Sequence, residues 1–257
     1  SAGIGVAKQL LSFFRFQGLS EADATKQIWT VDSKGLITAD RPGLQEHKKI
    51  FARTDYQGPP LTNLVEIINH VKPTALLGLS TIRNAFTKDV VNAMATHNTR
   101  PIIFPLSNPV SLSEVDYEDA INWTHGKVIF ASGSPYKPIL RGDQTFEPGQ
   151  GNNMYIFPGL GLGALLAKAS RVTDSMVEQA SVALAASLDA DERAADLVYP
   201  RLDRIREISS RIALAVVRAA QNASVDDAPP LRHVTDNTLL TYIQEQMWDP
   251  RPIKNHF

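Results

Sequence analysis

The chain has 257 residues, a formal charge of −1, 43% apolar and 21% charged residues, and no cysteine. That length holds one large domain or two modest ones, and the missing cysteine excludes a disulfide scaffold, a zinc ribbon, an iron–sulfur site and a cysteine nucleophile. The balance of 26 Lys and Arg against 27 Asp and Glu gives no pull toward nucleic acid or anionic membrane, and the longest apolar run, 154–167, is broken by Pro158 and too short to span a bilayer.

In chain order, Ser1 already stands where a helix starts. Ile4, Ala7, Leu11 and Phe14 then recur every three to four residues. Residues 18–27 read as an inserted short helix, and 28–31 as a strand ending at Asp32. Further strands are predicted at 75–79, 102–104 and 128–131, with helices between them at about 61–71, 84–97 and 113–124. Ser113 is the expected N-cap of the last of these, and Asp116 its first-turn acid. Short apolar strands alternating with helices imply a parallel sheet covered on both faces, a doubly wound α/β domain. After residue 150 the rhythm turns helical, at 154–169, 173–188, 201–222 and 236–247. The stretch 226–231, with Pro229 and Pro230, reads as a linker.

Five features could carry chemistry. Residues 1–7, Ser-Ala-Gly-Ile-Gly-Val-Ala, fit a helix start that lets a dinucleotide pyrophosphate approach the backbone, or an ordinary small-residue helix start. Asp32 stands where an acid would bind a ribose hydroxyl, although it lies 29 residues beyond Gly3, against the usual ~20. Its alternative is a turn acid in Asp-Ser-Lys-Gly. Lys34, Lys48 and Lys49 would favour a 2′-phosphate if they approach that acid, and are otherwise a solvated face. Ser107-Asn108-Pro109 follows the third predicted strand, where open α/β sheets bind ligands, or is a plain turn. Gly149-Gln150-Gly151-Asn152-Asn153 is either an elaborate helix cap or a carboxylate site. The six histidines never fall within five residues of each other, so no local metal motif is present in the sequence.

Taken together, these segments resemble malic enzyme, the oxidative decarboxylase of malate. Residues 1–7 resemble the end of its glycine-rich cofactor turn, and 28–37 its second strand and turn. Lys72 to Gly78, Arg100 to Pro109, Phe130 to Pro135, Pro148 to Asn153, Tyr155 to Gly159 and Leu197 to Pro200 continue the likeness in order. The resemblance implies a Rossmann-type sheet whose first strand precedes Ser1. It implies that Ser1, Ala2, Gly3, Asp32, Ser33, Lys34, Lys48, Leu79, Ser80, Ser107, Asn108 and Asn153 bind NADP or NAD, with NADP favoured by Ser33, Lys34 and Lys48. Asn108, Asn152 and Asn153 would hold malate. Relatives carry smaller residues than Thr81-Ile82-Arg83-Asn84.

The family also uses three metal-binding carboxylates, a lysine base and a tyrosine acid. The likeness puts all of these before Ser1, with manganese or magnesium as the metal. The chain is thus expected to be the C-terminal half of a longer polypeptide. Residues 1–152 would be the cofactor domain, 153–225 helices packing on the absent half, and 226–257 a tail. In the implied reaction, hydride leaves C2 of malate for nicotinamide, carbon dioxide leaves, and enolpyruvate is protonated to pyruvate. Alone, the chain is expected to be inactive. A homo-oligomer, dimer or tetramer, in cytoplasm or mitochondrial matrix is implied, with no membrane partner. Another Rossmann-fold NAD-dependent dehydrogenase and an inactive cofactor-binding fragment are the competing readings; Gly-Gln-Gly-Asn-Asn argues against the first.

Overall fold

A computed structural model describes residues 2–248; Ser1, one of the expected cofactor residues, lies outside the described residues. The fold divides into two compact units. The first runs to Asn152 and includes Ala190–Tyr199; the second takes Asn153–Asp189 and the described residues from Pro200 onward.

The first unit opens with α1 (Ala2–Phe16), whose buried Ile4 and Ala7 pack with Ile28 and Phe51. Helix α2 (Glu21–Lys26) is the predicted insertion, capped by Ser20, whose Oγ accepts the Asp23 N–H at 3.1 Å. A two-stranded hairpin follows, β1 (Val31–Asp32) and β2 (Gly35–Leu36), then α3 (Glu46–Lys49). The repeating part comprises α4 (Leu64–Val71), β3 (Ala75–Gly78), α5 (Lys88–His97), β4 (Ile102–Pro105), α6 (Tyr117–Trp123) and β5 (Ile129–Ser132). A second hairpin, β6 (Ile139–Arg141) and β7 (Gln144–Phe146), leads to β8 (Gly149–Gln150).

The main sheet has the order β3-β4-β5-β8, and every pairing in it is parallel. Ala75 is opposite Ile102, Ile102 opposite Ile129, and Ala131 opposite Gly149. All carboxyl ends therefore point the same way. Ile68, Val91, Met94, Ile103, Ala120, Ile121 and Phe130 form the core between sheet and helices. Each of these side chains other than Ala120 contributes roughly 1.5–3 kcal/mol by leaving water.

The fold differs from several of the expected elements. The strand predicted at 28–31 does not join the main sheet. Val31 and Asp32 pair only with Leu36 and Gly35. A tight turn closes that pair: the Lys34 N–H donates to Asp32 Oδ1 at 2.9 Å, and Gly35 takes a φ of 97°, which costs glycine little. The helix predicted from 113 starts at Tyr117. Ser113 does not cap it; its Oγ donates to the Val115 carbonyl at 2.8 Å. Asp116 occupies the N-cap position without a side-chain cap bond, because its carboxylate receives Arg83 and the Tyr136 hydroxyl. Hairpin β6–β7 was not expected; Gly142-Asp143 is its two-residue turn.

The second unit is helical. It contains α7 (Phe157–Leu166), α8 (Asp174–Ala186), α10 (Ile205–Asn222) and α11 (Asp236–Gln246). The short α9 (Ala190–Ala194), which lies between α8 and α10 in sequence, belongs to the first unit. Ile208, Ile212, Ala213, Val216 and Val217 on α10 are completely buried. Glycines on α7 admit that helix closely: a Cβ on Gly163 would meet the Ala213 carbonyl at 2.7 Å. The stretch 226–231 is more ordered than a linker. Asp226 pairs with Arg232 at 2.8 Å, and the Asp227 N–H donates to the Ala167 carbonyl at 2.9 Å. Among the described residues, no helix is long and apolar enough to cross a membrane.

Candidate functional site

Two groups of predicted site residues gather in the first unit. One surrounds Asp32. The β1–β2 turn fixes its carboxylate, with Oδ1 accepting the Lys34 N–H. Oδ2 accepts from Arg41 Nη2 at 2.5 Å and Lys48 Nζ at 2.7 Å. Burial would raise the Asp32 pKa. The hydrogen bonds from Arg41, Lys48 and the Lys34 backbone outweigh it and hold the carboxyl far below the usual carboxylate range. Asp32 is therefore an anion at neutral pH, with two cations on one oxygen. Arg41 also lines a cavity of about 330 Å³ with Ala39, Gly43, Leu44, Lys49 and Ala52, a volume at the small end for a ligand pocket.

Lys48 thus lies against the acid rather than on a solvated face, the placement on which its expected 2′-phosphate role depends. The Lys34 side chain is exposed and only its backbone takes part; Ser33 is exposed beside it. Lys49 pairs with Glu46 at 2.6 Å on the surface. Sequence reasoning missed Arg41. It stands nine residues beyond Asp32, past the second strand of the hairpin; the available signal was a cation within reach of a turn acid.

The second group sits beyond the carboxyl ends of the main sheet. Leu79 and Ser80 follow β3, and Ser107 and Asn108 follow β4. Gly133 and Ser134 follow β5, and Gly151 and Asn152 follow β8. Asn108 Oδ1 accepts the Ser134 hydroxyl at 2.6 Å, and Asn152 Nδ2 donates to the Gly133 carbonyl at 3.2 Å. Both amides therefore converge on one glycine turn. A Cβ on Gly133 would lie 2.8 Å from both Nδ2 and Oδ1 of Asn108, so a larger residue there would push the Asn108 carboxamide aside. The Asn108–Pro109 peptide bond is cis. Leu79 is half-buried, whereas Ser80 and Asn108 are exposed at the end of the sheet.

Ser107 and Ser80 share a partner absent from the predicted site, Glu114. Its Oε1 accepts the Ser107 hydroxyl at 2.6 Å, the Ser80 hydroxyl at 2.9 Å and the Ser80 N–H at 2.8 Å. Nothing in the local sequence marks Glu114, because it falls in a turn that reads as the start of a helix.

Ala2 is exposed and Gly3 half-buried in the first turn of α1. A Cβ on Gly3 would meet nothing within 4 Å. Packing among the described residues therefore gives no reason for glycine there. Asn153 opens the second unit as the first residue of a short 3-10 turn ending at Tyr155, and is exposed. Among the described residues, no three His, Cys, Asp or Glu side chains gather where a metal ion could sit.

Comparison with known proteins matches residues 1–221 to the family described as malic enzyme, NAD binding domain. The chain belongs to the malic enzyme family. An NADP-dependent malic enzyme of Dictyostelium discoideum is 48% identical over 89% of this chain and 42% of its own length. NADP-dependent malic enzyme 2 of Arabidopsis thaliana is 42% identical over 97% of this chain and 42% of its own length. NAD-dependent malic enzyme 3 of Bacillus subtilis is 36% identical over 99% of this chain and 45% of its own length. This malic-enzyme chain thus spans less than half the length of these relatives. A crystal structure of Entamoeba histolytica malic enzyme superposes with a TM-score of 0.64 at 25% identity, covering 85% of this chain and 41% of that one. The nucleotide-binding fold is therefore that of the family, whose members include both NADP- and NAD-dependent enzymes.

Proposed function

We propose that this chain binds the dinucleotide and orients malate in a malic enzyme that converts malate to pyruvate and carbon dioxide. The observation that carries the reading is the convergence of Asn108, Ser134, Gly133 and Asn152 beyond the carboxyl ends of parallel strands. Ligands bind in that crevice in open α/β sheets. Asn108 points its carbonyl at Ser134. Its Nδ2 is then the group available to donate to a substrate carboxylate. Asn152 and Asn153 provide further carboxamides for malate and for the nicotinamide side of the cofactor.

On this reading Asp32 receives the adenosine ribose. Three donors already occupy its oxygens, and a carboxylate offers about four lone-pair positions, so about one is left for a ribose hydroxyl. Arg41 and Lys48 are cations that can turn from Asp32 to a 2′-phosphate, and Arg41 can do so with a bidentate fork. This favours NADP. Ala2 and Gly3, with Ser1, would let the pyrophosphate approach the N-terminus of α1, where backbone N–H groups lack helical partners.

The dinucleotide supplies the hydride acceptor, and a divalent metal supplies Lewis acidity. The described residues offer no ligand cluster for that metal, so no step through it is assigned to this chain. The metal carboxylates, lysine base and tyrosine acid belong, on this proposal, to the rest of the enzyme. The role of this chain is placement: it fixes where the reacting carbon of malate lies against the hydride acceptor.

Carbon dioxide release from malate, with NADP or NAD and manganese, tests this division of labour. The chain alone should release none. Joined to the N-terminal half of a malic enzyme, it should release carbon dioxide in a dinucleotide-dependent way. Turnover by the chain alone would refute the split, and a silent joined protein would refute the assignment.

A further inference from the structure

Glu114 is fully buried, a rare environment for a carboxyl unless partners compensate its lost hydration. All its hydrogen bonds fall on one oxygen. Oε1 takes Ser80 N, Ser80 Oγ and Ser107 Oγ, while Oε2 is buried with no hydrogen-bond partner among the described residues. Room for the carboxyl depends on Gly78, the last residue of β3. A Cβ there would lie 2.6 Å from both Cδ and Oε2.

The backbone makes the same link. The Phe86 N–H donates to the Glu114 carbonyl at 2.9 Å, and the Asn84 N–H to the Ser113 carbonyl at 3.1 Å. In the same loop Thr81 and Asn84 both hold a φ of 58°, which asparagine tolerates but a β-branched threonine keeps only when its surroundings enforce it. Arg83 is anchored at Val110 O and Asp116. The bulky Thr81-Ile82-Arg83-Asn84 loop is therefore pinned to the segment after β4.

The hydroxyl hydrogens follow from this arrangement. A serine hydroxyl has one hydrogen and two lone pairs. Ser107 gives its hydrogen to Glu114 and accepts the Thr81 N–H at 2.9 Å. Ser80 gives its hydrogen to Glu114 and accepts the Ile82 N–H at 3.2 Å. Each hydroxyl keeps one lone pair and has no hydrogen left to donate. A phosphate, which only accepts at neutral pH, gains nothing from such groups; an amide NH2 or a sugar hydroxyl does.

We infer that Glu114 is a positioning residue that sets Ser80 and Ser107 as hydrogen-bond acceptors for a donor on the cofactor, the carboxamide NH2 of nicotinamide. The inference rests on the cofactor reading above. It assigns no contact between Glu114 and the cofactor.

The test uses the complete malic enzyme containing this chain and measures equilibrium binding of two dinucleotides. One carries the ordinary carboxamide; in the other, an acetyl group replaces it, so the NH2 is lost. The native protein should prefer the carboxamide by roughly tenfold, the scale of one well-placed hydrogen bond. Glu114→Leu fills the space without an acceptor, and should cut that preference to less than about threefold. Glu114→Gln keeps a carbonyl oxygen for the serines and should restore it. If Glu114→Leu does not fold, Gly78→Ala displaces the carboxyl without removing it and should cause the same loss. A native protein that binds the dinucleotide without preferring the carboxamide would overturn the role of Glu114. So would variants whose preference is unchanged. A native protein that binds neither dinucleotide would overturn the cofactor reading instead.

Discussion

Asn108→Ala is expected to lower kcat/KM for malate by more than about tenfold in the intact enzyme, a loss of about 1.4 kcal/mol or more of transition-state stabilisation. The side chain follows β4, and its Oδ1 is engaged by Ser134. On the proposed reading, that bond leaves the donor end of the amide for substrate. Alanine removes both the donor and the partner of the Ser134 hydroxyl. Asn108→Asp is the sharper variant: it retains an acceptor for Ser134 but sets a negative charge toward an anionic substrate, and should lose more than alanine does. Steady-state kinetics with malate varied at saturating dinucleotide checks both. An unchanged kcat/KM in Asn108→Ala would remove this residue from the site.

Lys48→Ala should weaken NADP by about tenfold or more, as expected for losing a charge-assisted hydrogen bond, while changing NAD by less than about threefold. Lys48 and Arg41 both sit on Oδ2 of Asp32, and all three side chains are about one-fifth exposed. At that burial the pair is less screened than a surface ion pair. With Lys48 absent, Arg41 still neutralises Asp32, so ribose binding in NAD should survive. A 2′-phosphate, in contrast, loses one of the two cations that can turn to it. Parallel titrations with NADP and NAD separate the outcomes; equal losses would show that Lys48 serves the hairpin alone.

The doubly wound plan was readable because apolar runs such as Ile102-Ile103-Phe104 are too short for helices and too apolar for surface strands. Helix α10 was equally plain, since Ile208, Ile212, Val216 and Ala220 follow helical spacing and are all buried. The β1–β2 hairpin was not readable as such. Its strands hold two residues each, below the length at which periodicity says anything. The sequence Asp32-Ser33-Lys34-Gly35 reads as a turn as well as a ribose site, and the structure forms that turn: it binds the Lys34 N–H and holds Asp32 against Arg41 and Lys48.

Among the predicted site residues, those on short loops beside strand ends were the most legible, because Ser107-Asn108-Pro109 follows a recognisable strand. Arg41 and Glu114 were hidden for a different reason. Each acts across a fold-back: Arg41 over the hairpin, Glu114 beneath the ends of β3 and β4. No spacing rule links Glu114 to Ser80, 34 residues earlier; the parallel pairing of β3 and β4, the strands that precede them, brings the two together.

A crystal structure of the intact enzyme with dinucleotide bound is the most direct test. The adenosine ribose should lie within hydrogen-bonding distance of Asp32 and the nicotinamide carboxamide against Ser107, beside Asn108. A dinucleotide bound away from the carboxyl ends of β3, β4 and β5 would contradict it.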